Sequence, residues 1–368
     1  YSADAIKRRI EGSGGQLNAF TAEELTCYLA KVPQKIVRPT FDILLDMAFH
    51  PCLKAEDLVK EKTVIIEEIK MYNDRPKHMA LEQLSQTMWP NHPLGRNIAG
   101  TIETVHSISR DALMQFKNDY YTPRNMVIVF TGNIQHADCL GFVRRALKAR
   151  NIASHACPFE PFACQQRQPV IATRVKDIEQ TNLAMGCVAY ERLHPKRFAL
   201  FLLSLILGGN MSSRLFDKIR EKRGLAYTIK CEYKPLIDTG IIYIQAGLDN
   251  KKIDLALRLI VQELHTLKTR AVSLAELKRA QEFALGQLAM LLEDTLEHMI
   301  FLGEAVASTN KVLDFNHIKR EILKVTPAEI KEVAGDIFHK EKITISLVGP
   351  IKDFKPQRCK EYVAETLR

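Results

Sequence analysis

The sequence predicts an α+β protein made of two related domains, and three observations predict it. Residues 107–134, SISRDALMQFKNDYYTPRNMVIVFTGNI, answer residues 324–351, KVTPAEIKEVAGDIFHKEKITISLVGPI, element for element. Gly349 follows Gly132 by 217 residues. Upstream, ELTCYLAKV around Leu25–Val32 answers GIIYIQAGL around Ile241–Leu248 at a nearly equal displacement. Between strand and final helix, each half carries two long amphipathic stretches with helical spacing. They are FDILLDMAF and AEDLVKEKTVIIEEIK in the first half, and DLALRLIVQELHTL and LAELKRAQEFALGQLAMLLE in the second.

Taken in order, the glycines Gly12, Gly14 and Gly15 run into a strand and are expected to serve a turn or a close backbone approach. Ser109 and the Thr326–Glu329 capping box start the two equivalent helices, each followed by a short turn and a β-branched strand that closes on Gly132 or Gly349. The second copy opens with a strand, NLAMGCVAY (182–190), and a helix, RFALFLLSLILGG (197–209). The displacement puts their counterparts before residue 1, so the first copy is expected to lack its opening strand and helix. The expected domains are 1–150 and 169–368, joined by a linker over 151–168 that carries ACPFEPFACQQRQ.

The chain is 46% hydrophobic and 26% charged, ordinary for a globular protein long enough for two cores. Its net charge of +9 is dispersed, and its densest cluster, IREKRG, has no interleaved aromatics, which argues against a nucleic-acid partner. No apolar run is long enough for a membrane span. The eight cysteines include no CxxC pair and read as small buried residues of a reducing compartment. With no signal-peptide core at the amino terminus, a cytoplasmic location is expected, although the chain begins without Met.

Chemistry-bearing motifs are sparse. No two of the eleven histidines lie within four residues, so neither HExxH nor HxxEH occurs. GxxxxGK[ST], GxSxG and GxGxxG are absent as well. Glu61, Glu67 and Glu68 lie along one expected helix, where an arbitrary glutamate pair is a solvated face. By themselves, Arg220 and Tyr227 read as a solvated arginine and a half-buried tyrosine.

Five segments, however, fall in one family's order. GGQLNAFTAEELTCYLAKV, EKTVIIEEIKMYNDRP, HPLGRNIAGT, YYTPRNMVIVFTGNI and GGNMSSRLFDKIREKRGLAYTI together resemble the pitrilysin family of zinc peptidases, in its processing-peptidase-like branch. The resemblance implies two domains, each an antiparallel-rich sheet packed with helices, forming a clam-like chamber around an unfolded peptide. It implies Glu68 as a zinc ligand and Glu61 as a supporting carboxylate, with Glu67 solvated. The two histidines of the family's HxxEH helix, and the glutamate that activates water, belong to the missing opening portion. Arg220 and Tyr227 match an Arg and a Tyr that the family brings to the zinc site. Arg220 is expected near a helix end, Gly224 at its stop and Tyr227 at the start of the next strand. The strand Leu17-Asn18-Ala19-Phe20 matches an edge on which substrate adds a strand. His92, within HPLGRNIAGT, is expected to be structural.

The intact protein is therefore expected to be a zinc endopeptidase of unfolded or extended peptides, working as a homodimer or beside a related subunit. Lacking HxxEH, the 368-residue chain is expected not to retain Zn2+ and to be inactive. The alternative is a noncatalytic peptide-binding or scaffold subunit.

Overall fold

The computed structural model describes residues 1–148 and 159–367. The first half forms α1 (Ala3–Ile10), β1 (Gln16–Thr21), β2 (Thr26–Lys31), α2 (Val37–Phe49), α3 (Ala55–Asn73), α4 (Pro76–Met88), α5 (Ile102–Ser107), α6 (Arg110–Tyr120) and α7 (His136–Leu147). The second half forms β3 (Val170–Val175), β4 (Thr181–Ala189), α8 (Arg197–Gly208), a π-helical turn over Phe216–Glu221, β5 (Ala226–Pro235) and β6 (Gly240–Leu248). It continues with α9 (Ile253–Thr269), α10 (Leu274–Glu293), α11 (Thr295–Thr309), α12 (Phe315–Lys324), α13 (Pro327–Ile337), β7 (Thr344–Gly349) and α14 (Pro356–Thr366).

The predicted start signals are in place. The Ser109 hydroxyl accepts the Ala112 N–H, and Thr326 and Glu329 close a reciprocal capping box. Arg110 and Pro327, which open α6 and α13, are separated by the repeat's 217 residues. Gly14 has φ +78°, and a side chain on Gly15 would sit 2.8 Å from Val32 and 3.0 Å from the Ile10 carbonyl oxygen. That close approach is the role expected of the glycines ahead of β1.

The described residues group into two compact units that are not the two sequence halves. One comprises Tyr1–Ile69, Ile98–Phe159 and Ala289–Leu313; the other comprises Lys70–Asn97, Glu160–Leu288 and Asp314–Arg368. Each half thus contributes one helix to the other's unit. α4 belongs with the second half's sheet and α11 with the first half's elements. These helices occupy equivalent places in the repeat.

In the larger unit, five strands run in the order β3-β7-β4-β6-β5, with β3 and β7 parallel and every other pair antiparallel. Side chains alternate along β4. Leu183, Met185 and Cys187 are buried on one face, while Ala184 looks to the other, where α4 lies. Met79, Ala80, Leu84, Met88 and Trp89 pack there against Ala184, Leu236, Ile241 and Val348. Gly186 permits this approach, because a β-carbon there would stand 3.1 Å from Leu84 Cδ2 and 3.3 Å from Met88 Sδ. Polar contacts fix the helix as well. Ser346 Oγ donates to Gln83 Oε1 at 2.9 Å, and Gln245 Nε2 donates to the Lys77 carbonyl at 2.8 Å.

The smaller unit holds a two-stranded antiparallel sheet, β1 with β2. Here one expectation is corrected: the stretch leading to Gly132 carries no strand pairing. Its side chains still alternate as in a strand. Met126, Ile128 and Phe130 pack on Phe41, Leu45 and Phe49, and Val129 lies 3.6 Å from a β-carbon built on Gly303 of α11. Its equivalent, β7, is a strand because β3 and β4 flank it. Residues 1–148 contain no counterpart of either, so the ladder has no partner. Thr131 Oγ1 instead donates to the Thr295 carbonyl at 2.6 Å.

Residues 149–158 lie outside the described residues, and with them the first part of the expected linker, 151–158. Its later part is tied down: the Phe162 N–H donates to Asp238 Oδ2 at 2.7 Å, and His92 Nε2 lies 2.9 Å from the Glu160 carbonyl oxygen. No described helix is long and apolar enough to cross a membrane.

Candidate active site

The segment GGNMSSRLFDKIREKRGLAY is built step by step from local chemistry. α8 stops at Gly208, where a β-carbon would stand 2.6 Å from the Cys231 nitrogen, so only glycine lets the helix end lie against β5. Asn210 then organises a turn, its Oδ1 accepting the Ser212 N–H at 2.9 Å and the Ser212 hydroxyl at 2.8 Å. The chain re-enters a helix at Arg214 and widens into the π-helical turn, with the Lys222 N–H reaching the Asp217 carbonyl at 2.9 Å. Gly224 ends it in the left-handed region at φ +57°. The Gly224 N–H bonds to the Arg220 carbonyl at 3.0 Å, the single bond of an αL stop, and the Leu225 N–H reaches one residue further back, to the Ile219 carbonyl at 3.0 Å.

Two residues later β5 begins irregularly. Ala226 pairs with Leu248 and Thr228 with Gly247, so Tyr227 is the extra residue of a bulge. A bulge re-aims a side chain, and Tyr227 is 72% exposed. The Arg220 guanidinium carbon lies 5.9 Å from the Tyr227 ring centre and 4.6 Å from that of Phe216. The two residues singled out in the sequence are thus neighbours.

Below this pair lies a charge network that the sequence reading missed. Arg214 Nε and Nη2 donate to the two oxygens of Glu276 at 2.7 and 2.8 Å, and Nη1 lies 4.0 Å from Glu263 Oε2. Lys218 donates to Glu263 Oε1. Glu263 is 5% exposed, a carboxylate inside the otherwise apolar face of α9. An acidic residue in the run IVQELHTL was the signal that could have exposed it. Burial raises the Glu276 carboxyl, but the Arg214 hydrogen bonds and charge outweigh that and hold it below the usual carboxylate range.

On the other unit, α3 turns Leu58, Lys62, Ile65, Ile66 and Ile69 inward, and Lys62 Nζ donates to the His106 carbonyl at 2.8 Å. Glu61 and Glu68, seven residues apart, lie on one side of that stripe, with Glu67 well round the helix; all three are exposed. Among the described residues no group of three or more His, Cys, Asp or Glu could hold a metal ion. A zinc site needs about three protein ligands, so the residues present do not fit zinc by themselves.

β1 pairs with β2 alone, so among the described residues its other edge is unpaired. The Ala22 N–H bonds to the Leu25 carbonyl, and antiparallel alternation from that pair turns the main-chain groups of Leu17, Ala19 and Thr21 to the free edge. Asn18 Oδ1 accepts the Ala19 N–H at 2.8 Å. Leu17 and Phe20 are half-buried, Asn18 and Ala19 exposed.

Comparison with known proteins places this architecture. Residues 1–102 match the family model described as insulinase (peptidase family M16), and residues 107–283 match the one described as peptidase M16 inactive domain. The uncharacterized zinc protease YmxG of Bacillus subtilis is 34% identical over 351 residues, covering 95% of this chain and 84% of its own length. An uncharacterized zinc protease of Streptomyces coelicolor is 31% identical, covering 99% and 80%. Among solved structures, a protease from Helicobacter pylori superposes with a TM-score of 0.90 at 20% identity, covering 95% of this chain and 85% of its own. A chain of Candida albicans complex III superposes at 0.86 with 18% identity, covering 95% and 86%. With relatives more than 30% identical across nearly its full length, the chain belongs to the insulinase, or pitrilysin, family of peptidases, peptidase family M16.

Proposed function

We propose that this chain carries the peptide-handling and transition-state-stabilising parts of a zinc endopeptidase that acts on unfolded or extended peptides. The observation that carries the reading is the Arg220–Tyr227 pair: a phenol lifted into solvent by a bulge, with a guanidinium beneath its ring. A hydroxyl so placed can donate to the oxyanion of a tetrahedral intermediate. The guanidinium can hold a substrate carbonyl or carboxylate.

The unpaired edge of β1 supports the other half of the reading. An extended peptide adding there gains main-chain hydrogen bonds with little demand on its sequence, first displacing the Asn18 side chain from the Ala19 N–H. Glu68 would supply one metal ligand and Glu61 would support it. Because one carboxylate does not make a zinc site, no hydrolytic step is assigned to residues 1–368 alone. The clam-like chamber, and pairing with a second copy or a related subunit, belong to the same reading. The donor set favours one alternative, a noncatalytic peptide-binding or scaffold subunit.

Zinc content and chelator-sensitive cleavage of an unstructured fluorogenic peptide, measured on the whole gene product and on the 368-residue chain, separate the two. One zinc per chain with cleavage by the gene product is the expected result. Peptide binding without metal or cleavage in the gene product would establish the scaffold.

A further inference from the structure

We propose that Arg214 is a positioning residue: its two-pronged bond to Glu276, with Lys218 bound to Glu263, sets the turn that holds Arg220 beneath Tyr227. The inference rests on the reading of Arg220 and Tyr227 given above and adds the device that controls their geometry.

The argument begins with what a π-helical turn lacks. Its hydrogen bonds are longer in register than those of an α-helix, and such turns persist where surrounding contacts hold them. Phe216–Glu221 is one turn long, preceded by barely two α-helical residues and followed by a glycine stop. Its own backbone therefore supplies little rigidity. The restraints come from side chains on both sides of its start. Arg214 is 16% exposed and bonded at two points to Glu276 in the first turn of α10. Ser273 Oγ accepts the Glu276 N–H at 3.2 Å, which fixes the carboxylate's own helix end. Four residues on, Lys218 binds Glu263 of α9, and the same carboxylate faces Arg214 Nη1 at 4.0 Å.

A planar guanidinium gripping a planar carboxylate fixes orientation as well as distance, which an ammonium does not. The turn is thus clamped to two helices at its entrance, with Gly224 as a pivot at its exit. Arg220 and Tyr227 lie on opposite sides of that pivot. Rotating the turn would carry the Arg220 guanidinium off the Tyr227 ring without changing β5.

Selective labelling of arginine side chains tests this by NMR. In the unaltered chain the Arg220 side-chain resonances, identified by their loss in Arg220→Lys, are expected to be displaced by the Phe216 and Tyr227 rings together, and the displacement followed is the Tyr227 share, the part lost in Tyr227→Leu. Arg214→Gln is expected to abolish that displacement, and Glu276→Gln to reduce it. The reversed pair, Arg214→Glu with Glu276→Arg, is expected to restore part of it. If Arg214→Gln does not fold, Glu276→Gln, which leaves Glu263 available to Arg214, carries the test. A folded Arg214→Gln or Glu276→Gln variant with lowered melting temperature but an unchanged Arg220 displacement would overturn the proposal, since a merely stabilising bond predicts that result. Peptide binding and cleavage by the same variants of the gene product report separately on the underlying reading. A displaced Arg220 with unaltered peptide handling would leave the clamp standing and remove Arg220 from the chemistry.

Discussion

Arg220 and Tyr227, seven residues apart and on opposite sides of a left-handed glycine, meet with the guanidinium carbon 5.9 Å from the ring centre. The contact divides the roles of the tyrosine: its ring packs on the cation and its hydroxyl is free to act. Tyr227→Phe should therefore keep the stack and remove only the donor. In the gene product, kcat for an unstructured peptide is expected to fall roughly a hundredfold, in the range seen for loss of one oxyanion donor, with KM little changed. Steady-state kinetics check this, and a loss confined to KM would assign Tyr227 to substrate binding instead.

Gly224 takes φ +57°, and nothing lies within 4 Å of a β-carbon built there. Gly224→Ala should be destabilising through backbone strain alone, by about 1 kcal/mol, and Gly224→Asn by less. Urea denaturation of the two variants measures the difference.

Glu276 titrates below its usual range in the folded chain, since burial, which raises it, is outweighed by Arg214. A depressed folded value means stability that is fully present above the unfolded value, about 4.3, and is lost as pH falls through the folded one. Glu276→Gln should accordingly narrow its stability deficit as the solution is acidified below about pH 4. Melting temperatures of the two proteins across that range are the measurement. A deficit that stays constant with pH would show that the Arg214 bond does not set this dependence.

His92 Nδ1 accepts the Leu94 N–H at 3.2 Å, which puts the ring proton on Nε2, facing the Glu160 carbonyl. The ring also meets Phe162 edge to face, 5.5 Å between centres, and Phe162 meets Trp89 in the same way at 6.3 Å. His92→Ala removes both hydrogen bonds and is expected to destabilise by about 1–3 kcal/mol. Trp89, the sole tryptophan, is buried and should report the change as a shift in its fluorescence.

Leu84 is fully buried where α4 crosses β4. Leu84→Ala should destabilise by about 2–5 kcal/mol. Partial compensation by Gly186→Ala, whose new methyl would point at the vacated space, checks the assigned contact in a double-mutant cycle.

The helices and most strands were legible in the sequence because their signals are local. Ser109 and Thr326 mark starts, Gly224 marks a stop, and apolar spacing marks faces. The stretch before Gly132 shows the limit of such signals. Its alternation is that of a strand, and the structure keeps the alternation, but a ladder needs a neighbour, and residue spacing does not say whether one is there. The candidate site divides in the same way. Arg220, Tyr227, Glu61, Glu68 and the edge residues Leu17–Phe20 were singled out as candidates by resemblance. Arg214, Lys218, Glu263 and Glu276 were not, because their partners lie 45 and 62 residues away along the chain.

By itself the sequence determined the α+β class, the family and the residues worth watching, because motifs, caps and glycine stops are written in short spans. Only the tertiary structure decided that α4 and α11 trade places between the halves, that Tyr227 is the extra residue of a bulge, and that a π-helical turn clamped by two distant carboxylates carries Arg220 to it. Those outcomes depend on packing between residues far apart in the chain, which no local pattern encodes.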